Sequence, residues 1–295
     1  MARTTLGVIA ALAAWMLASS ALARPTIWIQ FEPHLGDQVY LPVRLDGHRA
    51  MALLDSGASK SVIDSAYAAS IGLKSHGAFA NNGANGPETS GHIDGTKIEV
   101  GDLTLRRLTL ATLDLGATLG PSRPLILGEE VFNRAVVDID FANHRVAFRD
   151  PVHFAVPRGA VEVPLIRDGD LRLVPVSIEG GPPALFEFDL GAAGTVVLSP
   201  AYAREAHLLD GRPTSQGAIF GVGGDAIETR AVLRKLTFAG IGFGGIDAHF
   251  PQTWPSGTFS ERVKGVLGAM ILSRFHLIVD YPHDRLYAFP NPDGP

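Results

Sequence analysis

Two aspartates stand out by their neighbours, in Asp55-Ser56-Gly57-Ala58 and Asp189-Leu190-Gly191-Ala192. Each ends a short apolar run, Met51-Ala52-Leu53-Leu54 before the first and Leu185-Phe186-Glu187-Phe188 before the second. A carboxylate at the end of a buried strand is poorly hydrated, so its pKa should be perturbed. Glycine permits backbone angles and a close approach that a side chain would block. The small Ala58 and Ala192 leave room for a second loop to pack opposite. If the two loops face each other, two acids at short range cannot both ionise easily, and they share a proton. One can then take a proton from water while the other donates to a carbonyl oxygen. Alone, Asp-Ser-Gly is an ordinary turn. Its recurrence is what points to chemistry.

Other reactive groups fit less well. The chain has no cysteine, which excludes a thiol nucleophile, a thiolate zinc site, a lipoprotein anchor and any need for disulfides. The ten histidines show no H-x-x-x-H or H-E-x-x-H spacing, and no G-x-S-x-G elbow occurs. Two glycine-rich stretches, 221–226 and 240–245, loosely match a dinucleotide fingerprint, but neither is followed by a helical pattern. No cofactor and no metal are expected.

The elements that must position the aspartates come as a repeat. Residues 41–73 match 174–208 in type, with one residue inserted before the aspartate and one after it. Pro42 answers Pro175, Asp55 answers Asp189 and Tyr67 answers Tyr202. Downstream, Ile126-Leu127-Gly128 and Val266-Leu267-Gly268 open a second matching block, which places Asp140 against Asp280 and Phe141 against Tyr281. This order of blocks predicts a tandem duplication, with lobes at 24–156 and 157–295. Within each lobe the pattern is mostly strands. Residues 39–45 and 50–54 form a hairpin around Asp46-Gly47, and 62–64, 97–100 and 103–110 continue in that style. Residues 136–140 and 145–148 form a last hairpin. Helices are predicted only as short pieces, at 65–71 behind Asp64 or Ser65 and at 129–133. The fold class is all-β and two-lobed. Glycine-rich turns lie between each aspartate and its later glycine motif, at Asn85 and Gly86 in the first copy and at Gly223 and Gly224 in the second.

The first residues read as a signal peptide: Arg3, an apolar run over 6–18, then Ala21-Leu22-Ala23 as the cleavage site. The expectation is a periplasmic or secreted protein without stable membrane association once residues 1–23 are removed. Removing Arg3 takes the net charge from −5 to −6. That balance argues against nucleic acid or an anionic membrane surface as partner.

With Asp55-Ser56-Gly57-Ala58 followed by Ile126-Leu127-Gly128, and the same order in the second copy, the chain resembles the retropepsin-like aspartic proteases, in the exported bacterial branch. The resemblance implies a pepsin/retropepsin-like fold of two lobes. It also implies peptide-bond hydrolysis by an aspartate-activated water, an extended peptide substrate under glycine-rich flaps, and no cofactor. Asp55 and Asp189 would form the dyad, with Ser56, Gly57, Ala58, Gly191 and Ala192 as loop support, and one chain suffices. Family members usually carry Ser or Thr after the aspartate, and that hydroxyl ties one loop to the other. Ser56 fits, whereas Leu190 cannot hydrogen-bond, so the tie is at most one-sided. The alternative is a peptide-binding protein that kept the cleft and lost turnover.

Overall fold

The computed structural model describes residues 26–291, apart from 33, 35, 84, 85 and 256. The expected signal segment 1–23, its cleavage after Ala23, and Asn85 all lie outside the described residues. The fold is mostly β, with few and short helices. Among the described residues no helix is long and apolar enough to cross a membrane.

Three sheets make up the molecule. The first has the strand order Tyr40–Leu45, His48–Leu54, Leu125–Leu127, Val62–Asp64, Leu103–Leu113, Gly86–Val100, His76–Gly83. Its opening hairpin turns at Asp46 and Gly47, both with positive φ. That geometry matches the right-handed twist of paired strands. His48–Leu54 is exposed at the turn and fully buried over its last three residues, which carries the chain into the interior just before Asp55.

The second sheet contains Leu171–Ile178, Ala184–Phe188, Val263–Leu267, Val196–Leu198, Ile246–Pro251, Gly224–Leu233 and Thr214–Gly221 in that order. Ile166–Asp168 pairs with Leu171–Ile178, and a short hairpin of Leu236–Phe238 and Ile241–Phe243 extends its far edge. The arrangement of the first sheet therefore recurs. Even the parallel pairings correspond: Leu54 lies beside Leu127, and Phe188 beside Leu267. The two short helices Ser65–Ser70 and Pro200–Glu205 are capped by the side chains of Asp64 and Ser199.

The third sheet joins the halves. Its six strands run Ile29–Gln30, Arg145–Arg149, Val136–Asp140, Phe275–Asp280, Arg285–Pro290, Val161–Pro164. At its centre Val136–Asp140 pairs antiparallel with Phe275–Asp280, placing Asp140 opposite His276. Val137, Ile139, Leu277 and Val279 point into one hydrophobic core that also takes in residues of both larger sheets. A continuous core explains why no disulfide is required, since apolar burial on this scale supplies the stability. Trp28 lies under the guanidinium groups of Arg145 and Arg149 on this sheet.

Candidate active site

Asp55 leaves the end of His48–Leu54, and Asp189 leaves the end of Ala184–Phe188. Their backbone amides bond to Leu127 O at 2.9 Å and Leu267 O at 3.2 Å. Each loop thus starts as a continuation of a parallel pair with the apolar-apolar-Gly segment. The glycine of that segment then turns tightly beneath the loop. A Cβ on Gly128 would meet Ala58 O at 2.7 Å, and one on Gly268 would meet Gly194 O at 2.5 Å, so a larger residue would lift either loop. Glu129 N donates to Ala58 O and Ala269 N to Ala192 O, both at 2.9 Å.

The two aspartates meet and hydrogen-bond to each other. Asp55 Oδ1 also accepts from the amides of Gly57 (2.9 Å) and Ala58 (3.1 Å), while Asp189 Oδ1 accepts from Gly191 N (2.8 Å). Burial, and then the charge of Asp189, raise the Asp55 carboxyl well above the ordinary carboxylate range. Burial also raises Asp189, but the amides of Gly191, Ala192 and Gly57 and the bond from Asp55 oppose the rise. Burial raises both carboxyls, and two acids this close share one proton more readily than both ionise.

Room for this contact comes from the glycines, not from the alanines. A Cβ on Gly191 would lie 2.3 Å from Asp55 Cγ, and one on Gly57 would lie 2.9 Å from Asp189 Cγ. Ala58 and Ala192 instead hold the loops to the segments beginning at Gly128 and Gly268. Gly191→Ala should accordingly drive the carboxyls apart. We expect kcat to fall by roughly a hundredfold or more, because misplacement of about 1 Å can cost that much. Steady-state kinetics beside near-ultraviolet circular dichroism checks this, and an active Gly191→Ala protein would contradict the close approach.

Ser56 ties the loops together. Its hydroxyl, almost fully buried, donates to Phe188 O at 2.8 Å and accepts from Leu190 N at 2.9 Å. Leu190 makes no reciprocal bond and packs in the core instead. Two residues that sequence reasoning missed brace the loops from the opposite halves. Gln38 Nε2 donates to Gly191 O, and the phenol of Tyr281 donates to Ser56 O at 2.9 Å. Burial raises the Tyr281 phenol well above its ordinary value, so it remains a donor. Tyr281 is stacked on Phe132 and lies under Arg172, a fully buried guanidinium that reaches Glu129 at 2.9 Å. The signal for Tyr281 was its alignment with Phe141, where the two copies differ by one hydroxyl.

The glycine turns lie at the tips of two hairpins, His76–Gly83 with Gly86–Val100 and Thr214–Gly221 with Gly224–Leu233. The tips touch. A Cβ on Gly223 would lie 2.7 Å from Gly86 O, and one on Gly83 would lie 2.4 Å from Val222 O. Val222 packs on the cluster of Tyr40, Leu53, Val62, Leu113, Leu115 and Ile126 in the first half. Gly86 and Gly223 are thus brought together, while a Cβ on Gly224 would meet only open space.

Among the described residues no group of three or more histidine, aspartate or glutamate side chains is arranged to hold a metal. No curated protein matches the chain. A family model described as aspartyl protease matches residues 41–131, a stretch that holds Asp55 and Ile126-Leu127-Gly128 and ends before Asp189. Residues 41–131 form an aspartyl protease family domain.

Proposed function

We propose that the chain is an aspartic endopeptidase of two retropepsin-like lobes, 24–156 and 157–295, that arose by tandem duplication and use Asp55 and Asp189 as one dyad. The observation that carries this reading is the contact between the two carboxyls, each lodged against the other loop's glycine. A water between them would lose a proton to the ionised aspartate as its oxygen attacks the peptide carbonyl carbon, while the protonated aspartate gives its proton to the carbonyl oxygen. The resulting diol collapses when the first acid returns that proton to the leaving nitrogen and the second takes one back from the diol. The C–N bond breaks, and both acids regain their starting states. The paired hairpin tips would roof an extended peptide and keep bulk water out. Export to the periplasm or beyond belongs to the same proposal and rests on residues 3–23.

The pH dependence follows from one shared proton. Below the lower of the pair's two values both acids are protonated, above the higher neither is, and burial raises both acids. Activity should be bell-shaped, favouring acidic to mildly acidic pH. Cleavage of an unfolded protein across a pH series, with Asp55→Asn as control, tests this. A rate that climbs into alkaline pH with no acid limb would rule out the dyad. The rival reading, a peptide-binding protein without turnover, draws on Leu190. It would gain if wild type bound peptide and hydrolysed none at any pH.

A further inference from the structure

The strand position two residues before each aspartate faces the same surroundings in both halves. Leu53 pairs with Tyr40 on one side and Ile126 on the other. Glu187 pairs with Leu173 and Val266. Leu53 completes an apolar wall, whereas Glu187 puts a carboxyl, 5% exposed, into the equivalent wall. Its Oε1 would lie 3.0 Å from a Cβ on Gly57, a point equally close to the Asp189 carboxyl. Three acids therefore crowd one glycine loop.

The groups that face Glu187 offer no counter-charge. Asp189 lies two residues along its own chain, Asp55 comes from the opposing loop, and the neutral phenol of Tyr281 lies beyond. Arg172, buried on the neighbouring strand, is committed to Glu129, to Asp284 at 3.7 Å and to the ring of Tyr281. Among the described residues no ion pair is made by Glu187. Burial, and then the charges of Asp189 and Asp55, raise its carboxyl well above the ordinary range.

We infer that Glu187 is a third proton site of this centre, a positioning residue that acts on the reacting pair through Asp189. Three mutually repelling acids give up their protons in three steps spread over a wider pH range than two. The singly protonated state of the Asp55–Asp189 pair therefore persists to higher pH than the pair alone could sustain. For its effect on turnover this inference rests on the dyad reading above.

Two measurements test it, and only one needs hydrolysis. In pH profiles of kcat/KM, the alkaline limb of Glu187→Gln and of Glu187→Leu should lie about one pH unit below that of wild type, whatever the height of the plateau. Glu187→Leu installs the residue that the first half carries at this position, so the fold has a precedent for it. Superimposed limbs in both variants would overturn the inference.

The second measurement is unfolding as a function of pH. A glutamate whose folded pKa exceeds its unfolded value, about 4.3, stabilises fully below that value and loses the effect as pH rises toward the folded one. As pH rises from the unfolded value toward the folded one, the unfolding constant of wild type should therefore rise relative to that of Glu187→Gln, by at most about tenfold per pH unit. A flat ratio overturns the proton site even in an active enzyme. A sloping ratio in a protein that hydrolyses nothing supports the proton site and removes only the protease reading.

Discussion

Asp55→Asn and Asp189→Asn are each expected to lower kcat by roughly a thousandfold or more, equivalent to about 4 kcal/mol or more of barrier. Asparagine is nearly isosteric with aspartate but cannot ionise, so the packing of Gly57 and Gly191 against the pair survives. If both acids serve one water, either change removes the shared proton. Groups acting as a unit are strongly non-additive, so the double mutant should be scarcely slower than either single one. KM should change little, because on the proposed reading the walls and hairpin tips, not the dyad, would hold the peptide. The contrary pattern is a dead Asp55→Asn beside an Asp189→Asn that keeps most of its rate. That result would make the second half a scaffold, and an active Asp55 would then need a second chain, with activity depending on protein concentration.

Ser56→Ala should lower stability and rate together. The hydroxyl serves two backbone groups of the other half, and both would be left buried without a partner. Leaving a buried polar group unsatisfied costs about 1–3 kcal/mol, so a loss of about 2–4 kcal/mol is expected in urea melts. Leu190 offers no second hydroxyl to take over, and Tyr281 and Gln38 bond to other atoms. The loops should then move relative to each other, with kcat falling roughly tenfold to a hundredfold. Ser56→Thr keeps the hydroxyl and should restore most of both. Full activity in Ser56→Ala would assign the alignment of the carboxyls to Tyr281 and Gln38 instead.

What could be read from sequence was whatever is encoded locally. The aspartate loops and the Gly128 and Gly268 segments are short, and each announces itself by residue type. The sheets pair those very segments. The hairpins ending in glycine turns were legible at their tips and, in the first half, over 97–100 at the base of Gly86–Val100. Their remaining arms include stretches exposed on both faces, such as the start of Thr214–Gly221, and these lack the alternation that marks a half-buried strand. The four-residue helices Gly116–Leu119 and Ala269–Leu272 are too short for any periodicity to register. Gln38 and Arg172 were invisible, and Tyr281 showed only as the partner of Phe141 in the repeat, because their roles arise from contacts between the halves, far apart in sequence. Glu187 did carry a signal, an acid in the otherwise apolar run Leu185-Phe186-Glu187-Phe188, where the first copy has Leu53.

The sheet that joins the halves also governs when the centre can exist. Its middle pairing sets Val136–Asp140 against Phe275–Asp280, a contact of very long range in the chain. Contacts of such range form late, because the closure entropy of the intervening chain must be met first. Tyr281, which braces Ser56, comes directly after Phe275–Asp280, and Arg285–Pro290 completes the hairpin behind it. During synthesis the first half emerges with Asp55 but without Asp189, Gln38's target at Gly191 or the Tyr281 brace. On the proposed reading, hydrolytic capacity is withheld until the last strand is laid down. On that reading topology alone acts as a timer, and hydrolysis waits until synthesis of both halves is complete.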